Sequence, residues 1–263
     1  MSSINHTTLI LCAALILTAV FLSAGCVTEP VTETKPVLLI AVNTEIGAYN
    51  FYDENGNLTG IDIEIAKKIC DELGMEPAFE DIPFKAILPG VEAGEVDIAI
   101  AGITKTEERK KTVDFSNTYA KTWQTVYYNP VNGSTLKDSS DLKGKIIGVK
   151  AGTTGENLVK SRCADTAKKI VYYEWIEDAA KDLNIGEIDC FVFDNSITSA
   201  MLEQYPDFKT LDDNSTIEEY GIAVQKGNTE LLNKINAAVD KFLADGTIDA
   251  INQKYLGKIP SFM

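Results

Sequence analysis

Histidine is almost absent from this chain, arginine is scarce, and positive charge is outnumbered. The single histidine is His6, near the amino end, so the rest of the chain offers no imidazole as general base or metal ligand. A carboxylate or a lysine could still act as a base if burial tuned it. No paired-carboxylate or nucleophile motif presents itself, and an enzyme is not expected. Arg109 and Arg162 are the only arginines, against 22 lysines, and 24 basic residues face 39 acidic ones for a net charge of −15. Those basic residues are dispersed. Phosphate binding needs them concentrated, so no nucleic-acid partner is expected. The five cysteines lack metal-site spacing, and no cofactor or metal is implied.

Lysine and arginine are also missing before Lys35, while residues 9–25 (LILCAALILTAVFLSAG) are nearly all apolar. That run suits an export signal and falls short of the roughly 20 apolar residues of a spanning helix. It closes on Leu22-Ser-Ala-Gly-Cys26, which resembles the lipobox of exported lipoproteins. Ser23 stands where Leu is commonest, and the usual amino-terminal Lys or Arg is missing. The expectation is a signal peptide over 1–26, cleaved before Cys26 with lipid on its sulfur. A retained anchor helix is the alternative. Residues 27–36 (VTEPVTETKP) then form a flexible tether. Either way the chain is exported and tethered to the outer face of the membrane. With Cys12 in the leader and Cys26 lipidated, Cys70, Cys163 and Cys190 remain, an odd number that leaves at least one thiol unpaired within the chain. Cys163 and Cys190 could bridge. Burial as small apolar residues is the expectation for Cys70 and Cys190.

What is present is a well-patterned globular chain. Its 263 residues, 45% hydrophobic and 24% charged, suffice for two domains of ordinary size. Two stretches echo each other: GEVDIAIAGIT at 94–104 and GEIDCFVFDNSIT at 186–198. Each sets a Gly-Glu turn before a short apolar strand, and Gly102 and Asp194 fall at the same offset. A duplicated α/β lobe would put both at carboxyl ends of equivalent strands, where open α/β sheets bind ligands. In the first lobe the pattern predicts a strand over 38–43, a hairpin turning at Glu54–Asn57 and a helix capped by Asp62 and stopped by Gly74. A second helix spanning Pro89, a strand over 96–101 and a charged helix from about Thr106 follow. A second series begins with a strand at 145–149, helices near 154–163 and 175–184, and a strand at 188–193. A strand over 220–224 and a helix carrying Leu231, Ile235, Val239 and Phe242 end the pattern. Extended stretches near 119–124 and 217–222 bracket the second lobe, so the chain crosses over and returns.

Chemistry concentrates at four places. A strand ends at Gly102, Thr104 adds a hydroxyl, and Arg109 adds a planar guanidinium that grips a carboxylate through two parallel hydrogen bonds, as lysine cannot. Lys150–Thr154 (KAGTT) joins a strand to a helix start, where amides attract anions. Asp194, at the end of its strand, can accept from an ammonium group. Together they describe a site for a zwitterion, and an α-amino acid fits.

These segments resemble the polar amino-acid-binding proteins of ABC importers, solute-binding protein family 3, from about Leu38 to Gly257. The marks are Gly60-Ile-Asp-Ile-Glu-Ile-Ala66, Gly94-Glu-Val-Asp97, Thr104–Arg109, Asp114-Phe-Ser116, Asp141-Leu-Lys-Gly144, Gly152-Thr153-Thr154, Tyr220-Gly-Ile-Ala223 and Asp245-Gly-Thr247. The 101–116 segment is especially similar to glutamine-binding members. The resemblance implies a two-lobed periplasmic-binding-protein type II α/β fold, each lobe a mixed sheet flanked by helices and joined by two hinge strands. Lobe 1 comprises 37–121 and 220–263, and lobe 2 comprises 122–219. It implies Arg109, Thr104, Gly102 and Thr154 on the ligand's α-carboxylate and Asp194 on its ammonium. Phe84 would stack on the aliphatic part, and Lys150 and Asn43 would meet the side-chain end. Ile46, in place of an aromatic lid, and Ala48-Tyr49, in place of Pro-Phe, depart from the pattern. The implied function is capture of a polar amino acid, glutamine-like, for ABC permease subunits, by a monomer. An exported lyase on the same fold, such as a cyclohexadienyl dehydratase, is the alternative.

Overall fold

Ten strands, the central ones short and apolar, assemble into two five-stranded sheets. The computed structural model describes residues 34–44, 47–133 and 135–256. The leader with Cys12 and Cys26, most of the tether, and Ile46 lie outside the described residues.

The chain begins with β1 (Val37–Val42), a hairpin of β2 (Phe51–Tyr52) and β3 (Leu58–Thr59), helix α1 (Ile61–Leu73) and β4 (Glu76–Asp81). Helix α2 (Phe84–Ala93), β5 (Ile98–Ala99) and β6 (Val113–Phe115) follow. The long β7 (Ala120–Tyr128) leads to β8 (Ile146–Lys150), α3 (Thr154–Cys163), β9 (Lys169–Tyr173), α4 (Ile176–Ile185), β10 (Cys190–Asp194) and α5 (Thr198–Gln204). The equally extended β11 (Lys209–Tyr220) precedes β12 (Ala223–Gln225), α6 (Thr229–Ala244) and α7 (Thr247–Leu256).

The first sheet runs β4-β1-β5-β12-β6 and the second β9-β8-β10-β7-β11. Position by position they match. The central strand is parallel to one neighbour, β5 to β1 and β10 to β8, and antiparallel to the other, β12 and β7 respectively. Each central strand follows a helix closed by a left-handed glycine, Gly94 (φ 72°) after α2 and Gly186 (φ 81°) after α4. Only a residue without Cβ takes that conformation cheaply. The echo between 94–104 and 186–198 is therefore a repeat of architecture. Strands β7 and β11 pair antiparallel along their length, with an irregularity in register between Asp213 and Glu218. Extra residues on one strand of such a pair re-aim its side chains.

Each sheet packs its own core. Ile61, Ile65 and Ile69 of α1 are fully buried against β1 and β5, beside Ile235 and Val239 of α6. In the second sheet Tyr127 stacks on Phe191 with centroids 4.6 Å apart, and Phe208 meets Phe191 edge-on. Cys70, Cys163 and Cys190 are free thiols, all buried, so the Cys163–Cys190 bridge does not form.

Three expectations need correction. Asp62 does not cap α1: Gly60 precedes the helix with no side-chain cap, and Asp62 is turned into the core, fully buried. The charged helix from Thr106 is a single 3-10 turn, Arg109–Lys111, because β6 begins at Val113 and leaves room for nothing longer. The strand over 220–224 is two strands, β11 ending at Tyr220 and β12 starting at Ala223, because the chain changes sheets between them.

Gly60 has φ 127° and ψ 177°, and a Cβ there would sit 2.1 Å from the Tyr49 carbonyl oxygen. This backbone region is essentially restricted to glycine. Gly60→Ala is expected to lose about 3 kcal/mol or more of stability, from strain plus the backbone clash. Denaturant unfolding of the two proteins measures it, and an unchanged midpoint would contradict the geometry.

Candidate functional site

The strand order brings carboxyl ends from both sheets to one cleft. Asn43 follows β1, Gly102 follows β5, Lys150 ends β8 and Asp194 ends β10. Phe84 opens α2, and Thr154 opens α3, whose first turn is capped by the Thr153 hydroxyl accepting from the Glu156 amide at 3.3 Å. Phe84, Gly102, Thr104, Arg109, Lys150, Thr154 and Asp194 line a single cavity, together with Thr153 and Phe193. Asn43 reaches that cavity through Lys150.

Arg109 spans the cleft. Its Nη1 donates to the Thr104 carbonyl at 2.9 Å, in its own lobe, and its Nη2 donates to the Gly152 carbonyl at 3.1 Å, in the other. The guanidinium lies 5.4 Å from the centroid of the Phe84 ring, a cation–π distance. Burial works against its charge, and Glu218 and then Asp194 support it. An arginine remains a cation regardless.

Lys150 is only 2% exposed. Its Nζ donates to Asn43 Oδ1 at 3.1 Å and lies 5.8 Å from the centre of the same Phe84 ring. Asn43 in turn donates to the Ile82 carbonyl at 3.1 Å. Burial pulls the Lys150 ammonium down to about 8, with Glu177, Glu174 and Asp194 opposing.

Asp194 is held from three sides. Its carboxylate accepts from Gln124 Nε2 and from the Tyr220 hydroxyl, while its own carbonyl accepts from the Tyr127 hydroxyl at 3.0 Å. Burial, and second the neighbouring charge of Glu218, hold this carboxyl above the usual range, against the pull of Tyr220, Gln124 and Arg109. A buried carboxylate raised in this way is relieved by an incoming cation.

The resemblance implies Gly102 on the ligand's α-carboxylate, and in the structure its amide already has a partner within the protein. That amide donates to Asp62 Oδ2 at 2.9 Å, an oxygen that also accepts from Asn50 Nδ2 at 2.7 Å. What Gly102 can turn toward a ligand is its carbonyl, an acceptor suited to an ammonium. The Gly152 amide is likewise committed, to Glu156 Oε2 at 2.6 Å.

Two further residues enter from the strands joining the lobes. Gln124, on β7 and 1% exposed, turns its amide nitrogen to Asp194, to Thr154 Oγ1 at 3.2 Å and to Glu218 Oε1 at 3.1 Å. Glu218, on β11, accepts from the hydroxyls of Thr104 and Thr154. Neither belongs to a local motif. The only sequence signal for them is their place on extended stretches next to the cleft.

The family model for bacterial extracellular solute-binding proteins, family 3, matches residues 38–258. The chain belongs to that family. Among relatives, it is 30% identical over 252 residues to a probable histidine-binding protein of Neisseria gonorrhoeae, covering 94% of this chain and 93% of the other. It is 34% identical to the glutamine-binding protein of an ABC transporter in Bacillus subtilis, covering 79% and 76%. An ancestral arginine-binding protein solved bound to arginine superposes with a TM-score of 0.80 at 39% identity, over 85% of this chain and 100% of that one. One solved bound to glutamine gives 0.79 at 39%, over 86% and 100%. These relatives are amino-acid-binding proteins and not enzymes. The type II fold read from the resemblance is the fold this chain has.

The Asp62 carboxyl, which holds both Asn50 and Gly102, is pushed up to about 7 from 3.8 by burial. A raised carboxyl stabilises the fold fully below its unfolded value and loses that contribution as pH rises through the folded one. Stability from Asp62 is therefore full below about pH 4 and gone above about pH 7. In Asp62→Asn, whose side chain stays neutral, the loss of stability between pH 5 and 7.5 is expected to shrink by about 1 kcal/mol or more. Denaturant unfolding of both proteins at the two pH values checks this.

Proposed function

We propose that this family member captures a polar amino acid, glutamine-like, between its lobes outside the cytoplasm and delivers it to the permease subunits of an ABC transporter. The observation that carries the reading is the presence in one cavity of a guanidinium from the first lobe and a carboxylate from the second. Arg109, Thr104 and Thr154 serve the α-carboxylate, while Asp194 and the Gly102 carbonyl serve the α-ammonium. Two charges fixed on one small molecule can use both walls only when the lobes close, so binding and closure are the same event. In this reading lobe 1 comprises 37–121 and 220–263, lobe 2 comprises 122–219, and the protein is a monomer. A lipid on Cys26 at the end of a 1–26 signal tethers it to the membrane.

Selectivity follows from the far end of the cavity. Phe84 offers a face for an aliphatic stem, and beyond it the Lys150 ammonium can donate but never accept. An amide or carboxylate side chain supplies a further acceptor to Lys150, beside Asn43. The guanidinium of arginine would set one cation against another in a buried place, a costly arrangement. The ancestral proteins were solved with glutamine and with arginine, which supports charge and not side-chain size as the deciding factor in this reading.

A thermal-shift screen against the twenty amino acids is expected to give its largest rise with glutamine and little with arginine. In calorimetry Arg109→Ala should weaken that binding by about 3 kcal/mol or more, the cost of removing one partner of a buried charge pair. Unchanged affinity in that variant would refute the clamp.

Because the bound acceptor favours protonated Lys150, affinity is expected to be full below about pH 8 and to fall as pH rises beyond it. Lys150→Met should remove that step, leaving the gentler decline due to the ligand's own ammonium. Titration calorimetry across pH 6.5–9 separates the two.

A further inference from the structure

The carboxylate seat of this cavity is already taken by a side chain of the protein itself. Glu218 reaches it from β11, just after the irregularity that begins at Asp213. Its Oε2 accepts from the Thr104 hydroxyl at 2.6 Å and from the Thr154 hydroxyl at 2.9 Å. Its Oε1 accepts from Gln124 Nε2 at 3.1 Å, and among the acids that support the Arg109 charge it comes first. Thr104 belongs to one sheet's strand ends and Thr154 to the other's, so one oxygen ties the two walls together. Those two hydroxyls are donors that an α-carboxylate could also use, while the Arg109 guanidinium donates to the Thr104 and Gly152 carbonyls and feels Glu218 only through its charge. A side-chain carboxylate is the same functional group. The cavity lined by Thr104, Arg109, Thr154 and Asp194 has a free volume of about 10 Å³, room for about one water.

We infer that Glu218 is a built-in stand-in for the ligand's α-carboxylate, holding the lobes together without ligand and yielding its seat when an amino acid arrives. The inference rests on the amino-acid reading of this site and adds to it how the empty receptor is held. Two carboxylates cannot share one pair of hydroxyls without strong repulsion, so the ligand must displace Glu218 before Thr104 and Thr154 can serve it. Binding is then a competition between an internal and an external anion. Measured affinity is the intrinsic affinity reduced by the fraction of receptor that is self-occupied. The opposite possibility, that Glu218 stays and grips the ligand's ammonium alongside Asp194, predicts the opposite sign.

The test uses Glu218→Ala and Glu218→Gln in the full chain without its leader, with L-glutamine as probe. Small-angle X-ray scattering of the ligand-free proteins is expected to show a larger radius of gyration in Glu218→Ala than in the parent, with Glu218→Gln between them. Calorimetry is expected to show L-glutamine binding about tenfold more tightly to Glu218→Ala, the scale of hydrogen bonds to a charged group. Unchanged ligand-free scattering, or binding that is equal or weaker in Glu218→Ala, overturns the inference. If the parent binds no amino acid while Glu218→Ala still expands, the stand-in survives and the amino-acid reading falls.

Discussion

An ion leaves water only where the protein meets its charge, and the whole cleft is arranged around that requirement. Arg109 and Lys150 bring two cations into a poorly solvated space, and Asp194 and Glu218 bring two anions. Isolated, any of these would be expensive to bury. Together they neutralise one another while remaining selective about what displaces them. A neutral solute would break existing pairs and replace none. A zwitterion with an acceptor on its side chain can substitute for each partner in turn. Under the proposed function, charge balance, more than shape, sets the class of molecule that the cleft accepts.

Behind the cleft, the first sheet's side is supported by a buried carboxyl. Gly60 lets the chain pass against Tyr49, α1 starts at once, and Asp62 is thereby driven into the core. From there one oxygen holds the Gly102 amide and the Asn50 side chain. The loop that carries Gly102 and Thr104 is therefore fixed by a buried carboxyl and not by its own turn chemistry. Preorganisation of this kind spares the ligand the cost of ordering the loop. It also explains why Asp62 faces inward: a cap would satisfy one helix amide, whereas the inward position fixes the binding loop.

The central elements could be read from the residues because their patterns were local. Ile65, Ile69 and Leu73 mark α1 and Gly74 ends it, Leu231 to Phe242 mark α6, and the two Gly-Glu turns announce β5 and β10. The edge strands could not. β4 (EPAFED) is polar and contains Pro77, and β9 (KIVYY) lies at the far edge of its sheet. Such strands are defined by their neighbour, not by burial on both faces. The two-residue β5 is likewise shorter than the apolar run around it, because pairing and not hydrophobicity sets its ends. At the cleft, residues beside strand-end turns (Gly102, Thr104, Arg109, Lys150, Thr154, Asp194) were legible. Gln124 and Glu218 were not, since β7 and β11 show only an extended pattern and the inward aim of Glu218 depends on register.

That blind spot falls where recognition and motion are most closely coupled. Strands β7 and β11, which join the two sheets, also carry Gln124 and Glu218 to the polar groups beside the cavity. Tyr220, at the end of β11, makes the point again. It donates to Asp194, packs edge-on against Tyr49 at 5.5 Å, and lies one residue from the chain's passage between sheets. Opening the cleft at this point would strip Asp194 of a donor just as it separates Arg109 from Gly152.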